Sequence, residues 1–378
     1  MTESSEHPLS GLWKPTQLQA LYYGPSSVEK HLPSLLPSGS SKAFIITGSS
    51  LATKTSLISQ VESLLGPKHH AGTFTNITQH APIAQLDEAT DSVLNDPSID
   101  TLISIGGGSP IDSAKVISYR AHEKHGAFLY HITIPTTLSA AECTLAAGYT
   151  DESGTKVTVA HPGLIPQVIL YDSTFAKETP QKLWLSTGIR SLDHSVELLY
   201  YPTASEAPTK QSCLIAISQL FEYLPKCKQE PDNEDYITRL QLPSFMSLFG
   251  LGLNLKGSLG LSHSLGHALG STYGIPHGMT SCLTLPGVVR LKAENPEDAE
   301  QIARILPFLG HQRSGDDKQD ANRVGDAIDK LLETLGLDTT LKDYNVDEDQ
   351  IPKITKMATG SDQGEHYDRV ASLIRSKM

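Results

Sequence analysis

The stretch TLISIGGGSPIDSAK, residues 101–115, decides the fold. A buried, β-rich run enters three glycines and leaves into a helix whose first turn holds Pro110 and Asp112. Glycine lets backbone N–H groups approach a phosphate without an intervening Cβ, and the helix N-terminus that follows adds unpaired donors and positive dipole. Gly106, Gly107, Gly108 and Ser109 therefore read as a pyrophosphate cradle, or else as a tight turn. Ser109 is expected to cap the helix, with Pro110 at its first position. Lys115, on the second turn, reads as a solvated or structural side chain. The loop matches neither GxGxxG nor the phosphate loop ending in GK and a hydroxyl residue, which excludes those cofactor-specific readings.

Outward from this loop, residues 40 to 175 alternate apolar runs with helical patterns. AFIIT (43–47), TLISI (101–105), HITIP (131–135) and QVILYD (167–172) read as strands, with helices expected at about 51–65 and 110–122. That is an α/β domain built on a parallel sheet. Beyond it helical spacing takes over, with helices expected at about 181–200, 207–224, 238–255, 257–271, 279–292 and 321–335. The expected organisation is thus an α/β domain over 1–172 and an all-α helical-bundle domain over 173–378. Ligands in such proteins sit outside the carboxyl ends of the parallel strands, here facing the helical half.

The 378 residues suffice for two domains with substantial cores. Composition is that of a soluble protein, with no apolar run near the roughly 20 residues of a membrane span. A net charge of -12 with no basic patch argues against nucleic acid as a partner. Cys143, Cys213, Cys227 and Cys282 are scattered and read as reduced, buried thiols. The acidic, polar N-terminus does not read as a targeting peptide, so a cytoplasmic enzyme acting on a small molecule is expected.

His263 and His267 lie four apart and so share a helix face, and His277 follows the turn Gly274-Ile275-Pro276. The spacing is open to metal ligands, an acid/base pair or an aqueous helix face.

GGGSPIDSAK, IPTTLSAAE (134–142), GTK (154–156), STGIRSLDHSVELLY (186–200) and GLSHSLGHALGSTYGIPHG (260–278) together resemble the iron-containing alcohol dehydrogenase superfamily, in its maleylacetate reductase-like branch. The resemblance runs in order from about residue 15 to 290. It implies a dehydroquinate synthase-like fold, a homodimer, and NAD(H) or NADP(H) held by Gly48, Gly106, Gly107, Gly108, Ser109, Asp112, Thr136, Thr137, Ser139 and Lys156. Gly48 stands where NAD-preferring members carry an aspartate for the ribose hydroxyls, so NADPH is expected to be tolerated.

By the same resemblance, His194, His263 and His277 fall on the imidazole ligands of metal-dependent relatives, and His267 lies near the nicotinamide. The carboxylate ligand is replaced by Arg190, and Asp193 points roughly 100° away around the helix. A lost anion and a gained cation disfavour a divalent ion, so no tightly bound metal is expected. Arg190 reads either as an i,i+3 partner of Asp193 on the helix surface or as a fork onto a substrate carboxylate or carbonyl oxygen. The resemblance implies NAD(P)H-dependent reduction of a small anionic carbonyl or enone, such as maleylacetate. His267, His194, His263 or water would supply the proton, and His277 and Arg190 complete the catalytic set. Two alternatives stand beside it: a metal-dependent alcohol dehydrogenase, and a non-redox lyase, dehydratase or cyclase on the same scaffold.

Overall fold

The computed structural model describes residues 11–153 and 156–378, apart from the side chain of Ser271. Gly154 and Thr155 of the GTK segment, and the first ten residues read for targeting, lie outside the described residues.

Among the described residues, six parallel strands form one sheet in the order β1-β8-β5-β4-β2-β3. They are β1 (Ala20–Tyr23), β2 (Lys42–Thr47), β3 (His70–Phe74), β4 (Ile99–Gly106), β5 (Tyr130–Pro135) and β8 (Val168–Tyr171). A hairpin of β6 (Ala146–Thr150) and β7 (Lys156–Ala160) stands beside it. The helices α1 (Leu57–His69), α2 (Ile83–Leu94) and α3 (Gly108–His125) pack against the sheet. Ile45, Ile103, Ile105, Ile132 and Ile134 fill one sheet face, and Phe44, Ile46 and Leu102 fill the other, which is why these strands read as continuous apolar runs.

The chain passes from β2 outward to β3, then returns to place β4 on the opposite side of β2. Strand order reverses between β2 and β4, and a crevice opens at the carboxyl ends of such a pair. Gly48 follows β2 and the triple glycine follows β4. The loop identified from sequence therefore stands at the switch point.

After β8 the chain is helical: α4 (Gln181–Leu199), α5 (Gln211–Gln229), α6 (Glu234–Phe249), α7 (Leu261–Tyr273), α8 (His277–Lys292) and α9 (Asp317–Leu335), with shorter helices between and after them. The α/β half followed by a helix-rich half is the expected fold class. Every residue of α4 from Trp184 to Leu199 is buried, so this helix is the axle of the second half.

Several expectations need correction. The helix expected at 51–65 is broken by extended backbone at Thr55. That expected at 238–255 stops at Phe249, because Gly250 packs where a Cβ would stand 2.9 Å from Thr209 Cα and Gly252 has φ +57°. Ser109 does not cap α3: the helix begins at Gly108, and Ser109 Oγ instead accepts the His80 N–H at 3.2 Å. Lys115 is not solvated but fully buried.

Candidate active site

Gly106 has φ +139°, a conformation costly to any other residue, and turns the chain from β4 into α3. A Cβ on Gly107 would stand 3.1 Å from Thr137 Cγ2, so the backbone lies open where a side chain would fill it. The Thr136 N–H binds Gly106 O at 2.9 Å, and Thr137 Oγ1 donates to Ser139 Oγ at 3.2 Å. Gly48 approaches Ile77 so closely that a Cβ would meet its carbonyl oxygen at 2.9 Å. Gly48, the Gly106–Ser109 loop, Thr136, Thr137, Ser139, Asp112 and Lys156 line one cleft of about 550 Å³. Exposed N–H groups at a helix N-terminus, in a long cleft at the switch point, fit a dinucleotide.

Asp112, half-buried in the first turns of the helix after this loop, accepts the Gly148 N–H at Oδ2 at 3.1 Å, and partial desolvation raises its pKa. Lys115 Nζ donates to Ala141 O, Thr144 O, Thr144 Oγ1 and Ala146 O at 2.5–3.2 Å, fastening the segment beyond Ser139 to α3.

A second cavity of about 250 Å³ adjoins the first, and both have Lys156 and His277 in their walls. His194, His263, His267 and Arg190 complete its polar side. The α4, α7 and α8 helices bring these groups together; at Gly266 a Cβ would stand 3.4 Å from Arg190 Nη1, which leaves room for the guanidinium. His194 and His263 rings lie 4.8 Å apart, and His267 and His277 6.1 Å apart.

The chamber holds its imidazoles neutral. Burial, followed by the charge of Arg190, drives the pKa values of His194 and His263 well below the ordinary range. His277 moves the same way through burial and Lys156. His267 keeps an exposed face toward the chamber, yet lies under enough protein for its pKa to fall to about 3. Lys156 is pulled down to about 8 by burial, against the pull of Asp112. Its Nζ donates to His277 Nε2 at 3.1 Å.

Arg190 is 7% exposed, so its pair with Asp193 is an interior contact rather than the surface one expected. Nη1 donates to Asp193 Oδ2 at 3.3 Å and to Ser281 Oγ at 3.1 Å. The rest of the fork makes no hydrogen bond among the described residues, and the side chain borders the chamber. It is tethered on one side and available on the other.

The three imidazoles expected at a metal site stand beside two cationic side chains. His277 Nε2 is already taken by a cationic donor, and the position one turn before His194 carries a guanidinium instead of an anion. A different donor cluster lies behind the chamber, where atoms of Asp193, Glu197 and His263 come within 4.8 Å of one another. Glu197 already accepts the Ser262 N–H, the His263 N–H and His263 Nδ1–H, the last at 2.7 Å. Asp193 Oδ2 accepts from Arg190, Ser262 Oγ and Ser281 Oγ, while Asp193 Oδ1 is buried without a partner. An ion held there by the free Asp193 Oδ1 would leave the Arg190 bond to Oδ2 in place, but ligation by His263 Nδ1 would open its bond to Glu197.

Two site residues escaped the sequence reading. Glu197 lies one turn beyond His194 and fixes the His263 ring with its Nδ1 proton, leaving Nε2 for the chamber; an i,i+3 spacing from a recognised histidine was the available signal. His80 has φ +67°, lines the cleft of the glycine loop and stacks edge-on against His277 at 5.2 Å. Nothing in its local sequence announces that position.

Comparison with known proteins agrees with this geometry. The model of the iron-containing alcohol dehydrogenase family matches residues 19–173, and that of the Fe-containing alcohol dehydrogenase family C-terminal domain matches 184–371. The chain is 29% identical over 373 residues to Dehydrogenase ALT3 of Alternaria alternata, covering 85% of this chain and 93% of that protein. It is 26% identical over 289 residues to Maleylacetate reductase 1 of Cupriavidus pinatubonensis, covering 76% and 75% respectively. Among solved structures, maleylacetate reductase from Rhizobium sp. strain MTP-10005 superposes with a TM-score of 0.81 at 21% identity, covering 98% of both chains. An alcohol dehydrogenase from Oenococcus oeni gives a TM-score of 0.87 at 20% identity, covering 97% of this chain and all of that one. No helix among the described residues is long and apolar enough to cross a membrane.

Proposed function

The chain is an oxidoreductase of the iron-containing alcohol dehydrogenase family, and from that premise we propose that it reduces a carboxylate-bearing carbonyl or enone with NADH or NADPH, without a divalent metal. One observation carries the reading: the coenzyme cleft and the imidazole chamber meet at Lys156 and His277, and the open side of Arg190 borders that chamber.

A bound dihydronicotinamide supplies the hydride. The Gly106–Ser109 loop, Thr136, Thr137 and Ser139 would hold its phosphates and ribose, with Asp112 and Lys156 in the same lining. Gly48 presents no carboxylate to a 2'-phosphate, which favours tolerance of NADPH. Arg190 and Lys156 stabilise the substrate carboxylate and the negative charge that develops on the reduced oxygen, in a site where burial strengthens both interactions. The proton comes from water or from the Lys156 ammonium, whose pKa of about 8 suits a donor, and the neutral His267 ring facing the chamber relays it, taking a proton at one nitrogen as it gives one up at the other. His194, His263, held by Glu197, and His277 shape the rest of the wall. A domain division near residue 173, a cytoplasmic setting and a homodimer belong to the same reading.

Oxidation of NADPH or NADH by the protein purified without added metal, on presentation of 2-oxo acids and enoates, tests the proposal. Activity should persist in a chelator, and elemental analysis should find far less than one metal per chain. A metal-dependent alcohol dehydrogenase is the second reading, favoured by the unpartnered Asp193 Oδ1. About one iron or zinc per chain, with chelator-sensitive alcohol oxidation, would establish it. Turnover without coenzyme consumption would instead point to non-redox chemistry on this scaffold.

A further inference from the structure

The chamber is lined by two kinds of side chain. Its ionisable groups are Asp112, Lys156, Arg190 and the imidazoles, and of these Asp112, Lys156 and His277 also border the coenzyme cleft. The same lining includes five leucines, Leu145, Leu248, Leu251, Leu255 and Leu259, with the Thr144 and Ser258 hydroxyls beside them and no charged side chain in the 248–259 part of it. Leu145 comes from the segment that Lys115 grips through Thr144 O and Ala146 O. The other four come from the end of α6 and the loop after it.

That loop is pinned in place. Asn254 Nδ2 donates to Leu12 O and Thr203 O at 2.6 and 3.2 Å, and Thr203 Oγ1 donates to Asn254 O at 2.6 Å. Tyr201 OH donates to Lys256 O at 2.5 Å and accepts the Lys256 N–H at 2.8 Å. The Leu253 N–H reaches Lys14 O at 2.9 Å. These polar groups are satisfied against the N-terminal strap and the 201–203 turn. The leucines are left to form a preformed apolar wall, whose shape does not depend on a ligand to order it.

Resting on the reductase reading, we propose that the substrate is amphiphilic: a monocarboxylate carbonyl or enone compound whose hydrocarbon tail lies along Leu145, Leu248, Leu251, Leu255 and Leu259. A second carboxylate lying along the leucines would meet only the Thr144 and Ser258 hydroxyls, which are already hydrogen-bonded, and a buried charge so poorly paired is disfavoured. A hydrocarbon chain loses no hydrogen bonds there and gains about fourfold in affinity for each methylene buried. The charged groups set which group is reduced, and the leucines set which molecule is chosen.

Two measurements on the full-length protein separate this proposal from the one it rests on. Calorimetric binding of butanoate, hexanoate and octanoate to the protein saturated with NADP⁺ reads the tail site without any turnover. Affinity should rise about 16-fold per pair of methylenes at full burial, and octanoate should bind far more tightly than succinate. Leu255→Ser and Leu259→Ser, both at half-buried positions, should each cut that slope to less than half. A flat series, or succinate binding more tightly than octanoate, overturns the proposal. The second measurement is coenzyme oxidation with the matching 2-oxo acids, where kcat/KM should climb with chain length. A rising binding series with no coenzyme oxidation would sink the reductase reading and leave the tail site standing.

Discussion

Replacing Arg190 by Met removes the guanidinium while keeping much of its apolar stem. On the substrate side, the variant loses the open half of the fork, the part not tied to Asp193 and Ser281. Truncating one partner of a desolvated charge pair costs roughly 2–4 kcal/mol, so kcat/KM for a 2-oxo acid should fall about 30- to 1,000-fold. On the protein side, Asp193 loses a cation but keeps the Ser262 and Ser281 hydroxyls at 2.8 and 2.5 Å. Burial already raises its pKa, so it can accept a proton instead of remaining a buried anion. Two substrates of equal length, a 2-oxo acid and the neutral aldehyde, separate these effects. The acid should suffer the full loss and the aldehyde less than about fivefold, with thermal unfolding measured alongside. Arg190→Lys should recover part of the acid activity, since it keeps charge but not the fork. Equal losses for acid and aldehyde would refute the clamp and leave Arg190 as a structural partner of Asp193.

Gly107→Ala should raise the coenzyme KM about tenfold or more, because the new methyl blocks N–H contacts to phosphate; stability should change little, as Thr137 need give only a few tenths of an ångström. Glu197→Ala frees the His263 ring and should lower kcat by up to about 100-fold, with coenzyme affinity measured by fluorescence titration unaltered. His131 lies inside the sheet with Nε2 bonded to Ser104 Oγ at 2.8 Å, and burial followed by the nearby Lys115 charge holds its pKa at about 3 against 6.5. The unfolded chain binds this proton between those values and the native chain does not, so its contribution is intact above pH 6.5 and lost as pH falls toward 3. Between pH 7 and 5 that loss is about 2 kcal/mol, and denaturant titrations of His131→Gln should show a pH slope shallower by this amount. An unchanged slope would remove His131 from the acid response.

The parts of the site legible in the sequence are those where geometry restricts residue type. Only glycine suits Gly106, and histidines at 263 and 267 share a face whatever surrounds them. Two short strands were not legible: β1, ALYY, is only four residues long despite its strand-favouring tyrosines, and β3, HAGTF, lacks an apolar run and is held extended by its neighbour β2. The surface reading of Arg190 failed because α4 is buried all round, and periodicity cannot reveal a helix without a wet face. The leucine wall was hidden by a helix expected to run to 255. Gly250 and Gly252 were the available warning, but only the close packing at Thr209 and Lys14 gives them force.

The grip of Lys115 on residues 141–146 carries a lesson for heredity and engineering. The helix that presents its amino end to the coenzyme and the strip that offers Leu145 to the substrate share one fastener, so they cannot be exchanged between relatives as separate parts. A chimera cut between α3 and β6 would pair a lysine from one parent with carbonyl positions from another, and its two half-sites would shift against each other. A seam after β8 keeps the lysine and its acceptors together, but it parts Lys156 from His277 and Leu145 from the other four leucines. The glycine loop and the Leu145 strip should accordingly travel through this scaffold as linked traits.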